Sequence, residues 1–204
     1  MLEFQDGKSF LEKHRKERPI VLVGMMGAGK TTVGHRLSQA LRWPFYDIDA
    51  AIEHHGQCDI SSFFSRHGEP AFRALEEEIV ARLMRVTPCV LAAGGGAVLS
   101  RRVRKLIFED SVAIWLHADV DILVERVAEC SRRPLLKHGT CRETLHRLLE
   151  ERLSFYERAH VTVPVYQEPP EQTFSRVLHS LAKAKPDVIP AYVWVANQGV
   201  KEHA

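Results

Sequence analysis

The chain of 204 residues has little of what marks a metal-stapled, membrane or nucleic-acid-binding protein. None of its four cysteines forms a C-x-x-C pair, so neither a zinc site nor a disulfide framework is indicated. A net charge of +2 provides no broad positive field for a nucleic acid. The most apolar run, Cys89 to Leu99, contains three glycines and is too short to span a bilayer. We therefore expect a cytoplasmic protein with no nucleic-acid partner and no membrane contact.

The strongest signal present is the glycine-rich segment Gly24-Met25-Met26-Gly27-Ala28-Gly29-Lys30-Thr31. It follows the apolar run Ile20-Val21-Leu22-Val23 and precedes a helical pattern over residues 32–41. The pattern G-x-x-x-x-G-K-[ST] between a strand and a helix is typical of a phosphate-binding loop. Its backbone N–H groups and the helix N-terminus surround an anion. We expect the nucleotide phosphates to be bound by Gly27, Ala28, Gly29, Lys30, Thr31 and Thr32, with Lys30 at the β- and γ-phosphates and Thr31 on Mg²⁺.

Two carboxylates, Asp47 and Asp49, follow the second predicted strand, Phe45 to Asp47. In doubly wound α/β folds this edge of the sheet holds the ligand cleft. Capping of the next helix would account for one aspartate. Two at alternate positions beside a phosphate-binding loop favour a metal or substrate role.

A run of three glycines, Gly94 to Gly96, ends the third predicted strand, Val90 to Ala93. Three consecutive glycines exceed what a strand-end turn needs. They predict a place where bare backbone N–H groups approach a ligand.

Three arginine positions have two possible interpretations each. Arg73, on a helix predicted from about residue 69 to 86, forms a surface ion pair with Glu77 or belongs to a site. Arg133 lies on the polar loop 130–140, which is broken by Pro134 and Gly139 and resembles an active-site lid, or is only a solvated charge. Arg152 falls on a stripe predicted to be buried, formed by Leu145, Leu149 and Tyr156, so that it must face a cleft or reach past Leu153 to solvent.

Strands alternate with helices along the chain, which predicts an α/β fold of three αβα layers around a five-stranded parallel sheet. The last two strands are predicted at Val112–Leu116 and Val161–Val163. We expect residues 1–18 to be an N-terminal extension, residues 19–184 to be one P-loop domain, and residues 185–204 to be a C-terminal tail.

Taken together, the segments GMMGAGKT, FYDIDAAIE, AFR, AAGGGAV, RRPLL and ERLSFYERA resemble the shikimate kinase family, in order and spacing, over about residues 19–184. The resemblance implies ATP-dependent phosphorylation of the 3-hydroxyl of shikimate, in a nucleoside-monophosphate-kinase-like fold with a moving lid. It implies Mg²⁺ as the cofactor and ATP and shikimate as the partners. We expect a monomer.

The resemblance also implies a role for each matching position. Asp47 would hold Mg²⁺ through water together with Thr31, and Asp49 would accept the substrate hydroxyl. Arg73 and Arg152 would clamp the substrate carboxylate, while Gly95 and Gly96, with Gly94 in the same run, would offer backbone N–H groups. Arg133 would reach the transferring phosphoryl group, and Arg126 would lie against adenine. Ser154 stands where the family usually has proline, and His160 where it usually has aspartate.

Three other functions share part of this pattern. A kinase for another hydroxylated acid, such as gluconate, would have the same loop and lid, and only Asp49, Arg73, the glycine run and Arg152 discriminate. A GTPase switch needs N-K-x-D and D-x-x-G motifs, which the sequence lacks. An ATPase module needs a strand ending in Asp-Glu, whereas the third strand here ends in Gly94.

Overall fold

The computed structural model describes residues 18–128 and 141–184. Within them a parallel sheet has the strand order β2-β3-β1-β4-β5. Its strands are β1 (Ile20–Val23), β2 (Phe45–Asp47), β3 (Val90–Ala92), β4 (Val112–Ala118) and β5 (Val161–Val165). The predicted five-stranded parallel sheet is confirmed.

Helices connect the strands and surround the sheet. They are α1 (Lys30–Leu41), α2 (Ile48–Gly56), α3 (Ile60–Leu83), α4 (Arg101–Glu109), α5 (Val120–Ala128), α6 (Cys141–Tyr156) and α7 (Pro170–Lys183), and a short 3-10 turn covers Ala97–Leu99. The predicted strands β4 and β5 each continue two residues further than the sequence indicated.

The core is built on the central strand β1, whose four side chains are at most 1% exposed. A strand covered by helices on both faces must be apolar at every position, and the sequence Ile-Val-Leu-Val satisfies this requirement. Burial of each such side chain contributes about 1.5–3 kcal/mol. The loop that follows β1 is therefore anchored on a rigid strand.

Helix α3 differs from the predicted helix at both ends. It begins at Ile60, where the Asp59 carboxylate accepts a hydrogen bond from the Ser62 N–H, and it is broken at Gly68, which has φ 77° and ψ 172°. The predicted helix from about residue 69 is thus the second part of this element. It ends at Leu83, three residues before the predicted end.

The order of strands reverses at β1. The chain passes from β1 to the outer strand β2, returns to β3 beside β1, and then crosses to β4 on the other side. In such sheets ligands bind at the carboxyl ends of the strands next to the reversal. The segments after β1, β2 and β3 therefore meet at one edge.

His160 ties the first residues of β4 and β5 together at the opposite edge of the sheet. Its imidazole Nδ1 atom accepts a hydrogen bond from the backbone N–H of Ala113, and its backbone N–H donates to the Ala113 carbonyl, both at 3.0 Å. Burial, and to a lesser extent the Arg18 charge, lowers the pKa of the imidazole. The residue that departs from the family pattern thus forms a structural contact far from the carboxyl ends of the strands.

The predicted lid at 130–140 with Arg133, the tail at 185–204 and residues 1–17 of the predicted extension lie outside the described residues.

Candidate active site

The phosphate-binding loop has the backbone conformation that its glycines permit. Gly24, Gly27 and Gly29 have φ values of 140°, 82° and 90°, which side-chain-bearing residues rarely adopt. A Cβ atom on Gly24 would also lie 2.6 Å from the Leu116 carbonyl oxygen. Because helix α1 begins directly afterwards at Lys30, its free N–H groups face the same turn.

Lys30 places its ammonium group over its own loop. Its Nζ atom donates to the carbonyl oxygens of Gly24 and Met25, each at 2.9 Å. A phosphate held by the loop would lie beside this charge, as the sequence predicts.

The Asp47 carboxylate makes two kinds of contact at the end of β2. Its Oδ1 atom accepts the N–H groups of Asp49 and Ala50 at 3.0 and 3.3 Å and so caps helix α2. Its Oδ2 atom accepts a hydrogen bond of 2.6 Å from the Thr31 hydroxyl. The capping role and the pairing with Thr31 thus occur together, and the two predicted metal-binding residues are in contact.

The glycine run makes room for functional side chains. A Cβ atom on Gly94 would lie 2.6 Å from Oδ1 of Asp49, and one on Gly96 would lie 2.6 Å from Nη2 of Arg73. No side chain fits at either position unless Asp49 or Arg73 moves away. The sequence predicted bare backbone for a ligand, and the structure adds this second reason for glycine.

Arg73 pairs with residues other than the one that helical spacing suggested. Its Nη1 atom donates to Oε2 of Glu76 at 2.7 Å, and Nε and Nη2 lie 3.4 and 3.3 Å from Oε1 of Glu69. Glu77 instead accepts a hydrogen bond from the Ser100 hydroxyl. The surface ion pair between Arg73 and Glu77 is therefore wrong.

Glu76 is a site residue that the sequence reasoning missed. It is 1% exposed, and burial raises the pKa of its carboxyl, with Arg73 opposing this shift and the Asp49 charge adding to it. The signal was available, because Glu76 lies at the i+4 position from Phe72 and three residues before Ile79 on the apolar face of α3. A carboxylate at such a position requires a charged partner.

Arg152 faces the cleft and does not reach past Leu153 to solvent. It is 2% exposed on α6 and its Nη1 atom donates to the Gly95 carbonyl at 3.1 Å, while its buried Nε atom has no hydrogen-bond partner among the described residues. The buried face of α6 includes Leu145, Leu148 and Tyr156. Leu149, which was predicted on this stripe, is only half-buried.

Arg126 links the phosphate-binding loop to the segment after β5. Its Nη1 atom donates to the Gly27 carbonyl at 3.3 Å, and its Nη2 atom donates to the Tyr166 carbonyl at 2.9 Å. The guanidinium group thus lies beside the loop, where the base of a bound nucleotide could stack on it.

A single cavity of about 820 Å³ joins these groups. It is lined by every predicted site residue in the described part of the chain, namely Gly27, Ala28, Gly29, Lys30, Thr31, Thr32, Asp47, Asp49, Arg73, Gly94, Gly95, Gly96, Arg126 and Arg152. Glu76 also lines it. The volume lies within the range of small-molecule sites. Phosphate-binding groups and three arginines thus share one cleft.

The sheet order, the phosphate-binding loop and this cleft define a P-loop kinase. A model of the shikimate kinase family matches residues 26–182. The shikimate kinase of Cereibacter sphaeroides is 43% identical over 185 residues, which cover 91% of this chain and 92% of that protein. The structure of a shikimate kinase from Acinetobacter baumannii in complex with shikimate matches with a TM-score of 0.78 and 32% identity, covering 82% of this chain and 94% of that one. The chain belongs to the shikimate kinase family and is a phosphotransferase.

The alternative acceptor, gluconate, is supported by fold alone. A gluconokinase from Sinorhizobium meliloti matches with a TM-score of 0.52 at 18% identity, covering 81% of this chain and 92% of that one. At this identity the likeness concerns the architecture of the sheet and helices.

In the described residues, no helix combines the length and apolar character needed to cross a membrane.

Proposed function

We propose that this chain transfers the γ-phosphoryl group of ATP to the 3-hydroxyl of shikimate, giving shikimate 3-phosphate and ADP. The observation that carries this proposal is the pair Arg73 and Arg152, which share one cleft with the phosphate-binding loop. Arg152 brings a buried N–H that has no partner within residues 18–128 and 141–184, and a carboxylate on the acceptor would satisfy it. Membership of the family favours shikimate over gluconate as this acceptor.

The nucleotide phosphates would be held by backbone N–H groups of the loop and by Lys30. Residues Gly27, Ala28, Gly29, Lys30, Thr31 and Thr32 supply these contacts. Arg126, fixed by the carbonyls of Gly27 and Tyr166, would lie against adenine.

The donors Thr31 and Asp47 fit Mg²⁺, because hydroxyl and carboxylate oxygens are the ligands that this ion prefers. Within residues 18–128 and 141–184, no group of three or more His, Cys, Asp or Glu side chains could hold a metal. The remaining ligands would therefore be waters and phosphate oxygens. When bound, Mg²⁺ would neutralise charge on the transferring phosphates.

Asp49 would accept the proton of the attacking hydroxyl. It lies at the start of α2, next to Gly94, and shares the cleft with the loop that holds the phosphates. Phosphoryl transfer needs in-line positioning and little covalent work from the protein. A carboxylate at this place orients the hydroxyl and takes its proton as the bond to phosphorus forms.

Arg73 and Arg152 would hold the substrate carboxylate, with backbone N–H groups of Gly95 and Gly96 nearby. Glu76 keeps Arg73 in place through the ion pair of 2.7 Å. The buried Glu76 charge also offsets part of the positive charge that the two arginines bring into the cleft.

Several parts of the proposal rest on the sequence alone. They are the role of Arg133 at the phosphoryl group, a monomeric state and a cytoplasmic location. Arg133→Ala, compared with turnover of the parent, tests the first of them.

The test of the function is a coupled assay of ADP formation with Mg·ATP and either shikimate or gluconate, after subtraction of turnover without acceptor. We expect turnover with shikimate, a product heavier by one phosphoryl group, and loss of turnover on chelation of Mg²⁺. Preferred turnover of gluconate, or ADP formation independent of any acceptor, would refute the proposal.

A further inference from the structure

The carbonyl oxygen of Gly95 accepts hydrogen bonds from two side chains of helix α6. The Tyr156 hydroxyl donates at 2.6 Å and Nη1 of Arg152 at 3.1 Å. The two donors are four residues apart, and therefore project from the same face of the helix. Both side chains are buried, with exposures of 0% and 2%.

The Tyr156 ring is fixed from several directions. It stacks on Trp115 at a centroid distance of 5.9 Å and an interplanar angle of 22°. Its hydroxyl also lies 3.8 Å from the Met25 sulfur, in the phosphate-binding loop. Burial raises the pKa of the phenol to about 12, so the hydroxyl stays protonated and donates. Tyr156 is thus a rigid donor aimed at one backbone oxygen.

Gly95 lies between the phosphate-binding loop and helix α6. A Cβ atom built on it would be 3.4 Å from the Met26 nitrogen and 3.5 Å from Nη1 of Arg152. The glycine run therefore packs on the phosphate-binding loop at this point, and the Gly95 carbonyl points to α6. Any change in the orientation of this peptide would move the oxygen to which Arg152 donates.

We propose that Tyr156 is a positioning residue for acceptor binding: its hydroxyl fixes the Gly95 carbonyl, and this carbonyl fixes the direction of the Arg152 guanidinium group. With the hydroxyl present, the Gly95 peptide is restrained from two sides and Arg152 is oriented before the acceptor arrives. Without it, Arg152 is the one side-chain donor that the described part of the chain still offers to that oxygen, and both groups gain freedom that binding must remove. The inference rests on the proposed function, since it assigns Arg152 to the acceptor carboxylate.

The test is Tyr156→Phe, which removes one hydroxyl and keeps the ring against Trp115. The matched control is Ser111→Ala, because the fully buried Ser111 hydroxyl also donates to a backbone carbonyl, that of Ile107, at 2.6 Å and outside the cavity. Calorimetric titration of shikimate and of ATP is carried out on the parent and both variants, together with kcat, KM and Tm.

We expect Tyr156→Phe to raise the Kd and KM for shikimate about three- to tenfold, the range for immobilising one long side chain that is no longer held in place before binding. The Kd for ATP should stay within about twofold, and kcat should change less than KM. Ser111→Ala should lower Tm about as much as Tyr156→Phe does, and it should leave the affinities for shikimate and ATP unchanged. An unchanged shikimate affinity in Tyr156→Phe, or an equal loss for ATP, would overturn the inference.

A double-mutant cycle with Arg152→Met separates positioning from general stability. If Tyr156 acts through Arg152, Tyr156→Phe has no further effect on shikimate affinity once Arg152 is Met. An undiminished effect in that background would show that Tyr156 acts by another route and would overturn the inference. Failure of the proposed function would be seen separately, as absence of shikimate turnover in the parent protein.

Discussion

Replacement of Arg152 by methionine is the sharpest perturbation of the acceptor end of the cleft. Methionine is shorter than arginine but keeps an unbranched, flexible side chain of similar volume in a site that is 2% exposed, so most of the space stays filled. The change removes the charge, the contact of 3.1 Å to the Gly95 carbonyl and the buried Nε atom. That carbonyl keeps the Tyr156 hydroxyl as a donor, so no buried acceptor is left unpaired.

Arg152→Met is expected to weaken shikimate binding without lowering the stability of the protein. A charged hydrogen bond to the substrate contributes about 1.5–3 kcal/mol, so the Kd for shikimate should rise by roughly one to two orders of magnitude. Stability should be unchanged or slightly higher, because Arg152 has no close ion-pair partner in the described part of the chain, and replacing a buried charge by a well-packed apolar side chain is often neutral or stabilising. Loss of function with retained stability is the expected signature of a binding residue.

Calorimetric titration of shikimate and ATP, with a thermal melt of each protein, measures both effects. Arg104→Met is the matched control, because Arg104 also donates to backbone carbonyls, those of Val98 and Leu99 at 2.8 and 2.7 Å, but does not line the cavity. We expect this control to lower Tm and to retain shikimate affinity. If Arg152→Met lost ATP affinity as strongly as shikimate affinity, or simply unfolded, Arg152 would be a structural residue and the carboxylate clamp would be refuted.

Three further changes test other parts of the site and the fold. Lys30→Ala should abolish turnover with Tm nearly unchanged, and retained activity within about tenfold of the parent would contradict the role of Lys30 at the phosphates. Gly96→Ala should weaken shikimate binding and spare ATP binding in parallel titrations. The φ value of −98° at Gly96 allows alanine, but the added Cβ atom would displace the Arg73 guanidinium group. If the variant bound shikimate as tightly as the parent, Arg73 would not need to stay in place. Because the folded-state pKa of His160 is lowered, its stabilising hydrogen bond from Ala113 is present above about pH 6.5 and is lost as the pH falls from there through the folded-state pKa. Melts between pH 7.5 and 5.5 should therefore show a larger loss of Tm in the parent than in His160→Asn, and identical slopes would exclude the imidazole as the cause.

The phosphate-binding loop was predictable because everything it needs is adjacent in the sequence. Strand, glycines, lysine and helix start occupy residues 20–41 without interruption, and each has a local physical reason. The sheet follows in the same way, since alternating apolar runs and helical patterns leave little choice except parallel pairing. The order of the strands and their exact ends depend on contacts between distant segments, and the sequence does not state these.

Partners of charged residues were the least predictable feature. Spacing along α3 made Glu77 an acceptable partner for Arg73, but the structure uses Glu76 and Glu69, because the Glu76 face of the helix is turned into the cleft. A local rule cannot choose between i+3 and i+4 when the choice depends on which face is buried. The apolar stripe through Phe72 and Ile79 does contain that information, and it places Glu76 inside.

Ser154 shows which contacts determine the direction of Arg152. It stands where the family usually has proline, yet it is exposed, and at two residues from both Arg152 and Tyr156 it lies on the opposite side of α6 from them. Helix α6 continues through this position to Tyr156, and both inward side chains still reach the Gly95 carbonyl. A residue on the outer face therefore has no direct part in the geometry. The anchor for Arg152 is a backbone oxygen in the glycine run that follows β3, which the helix can approach closely because Gly95 carries no side chain.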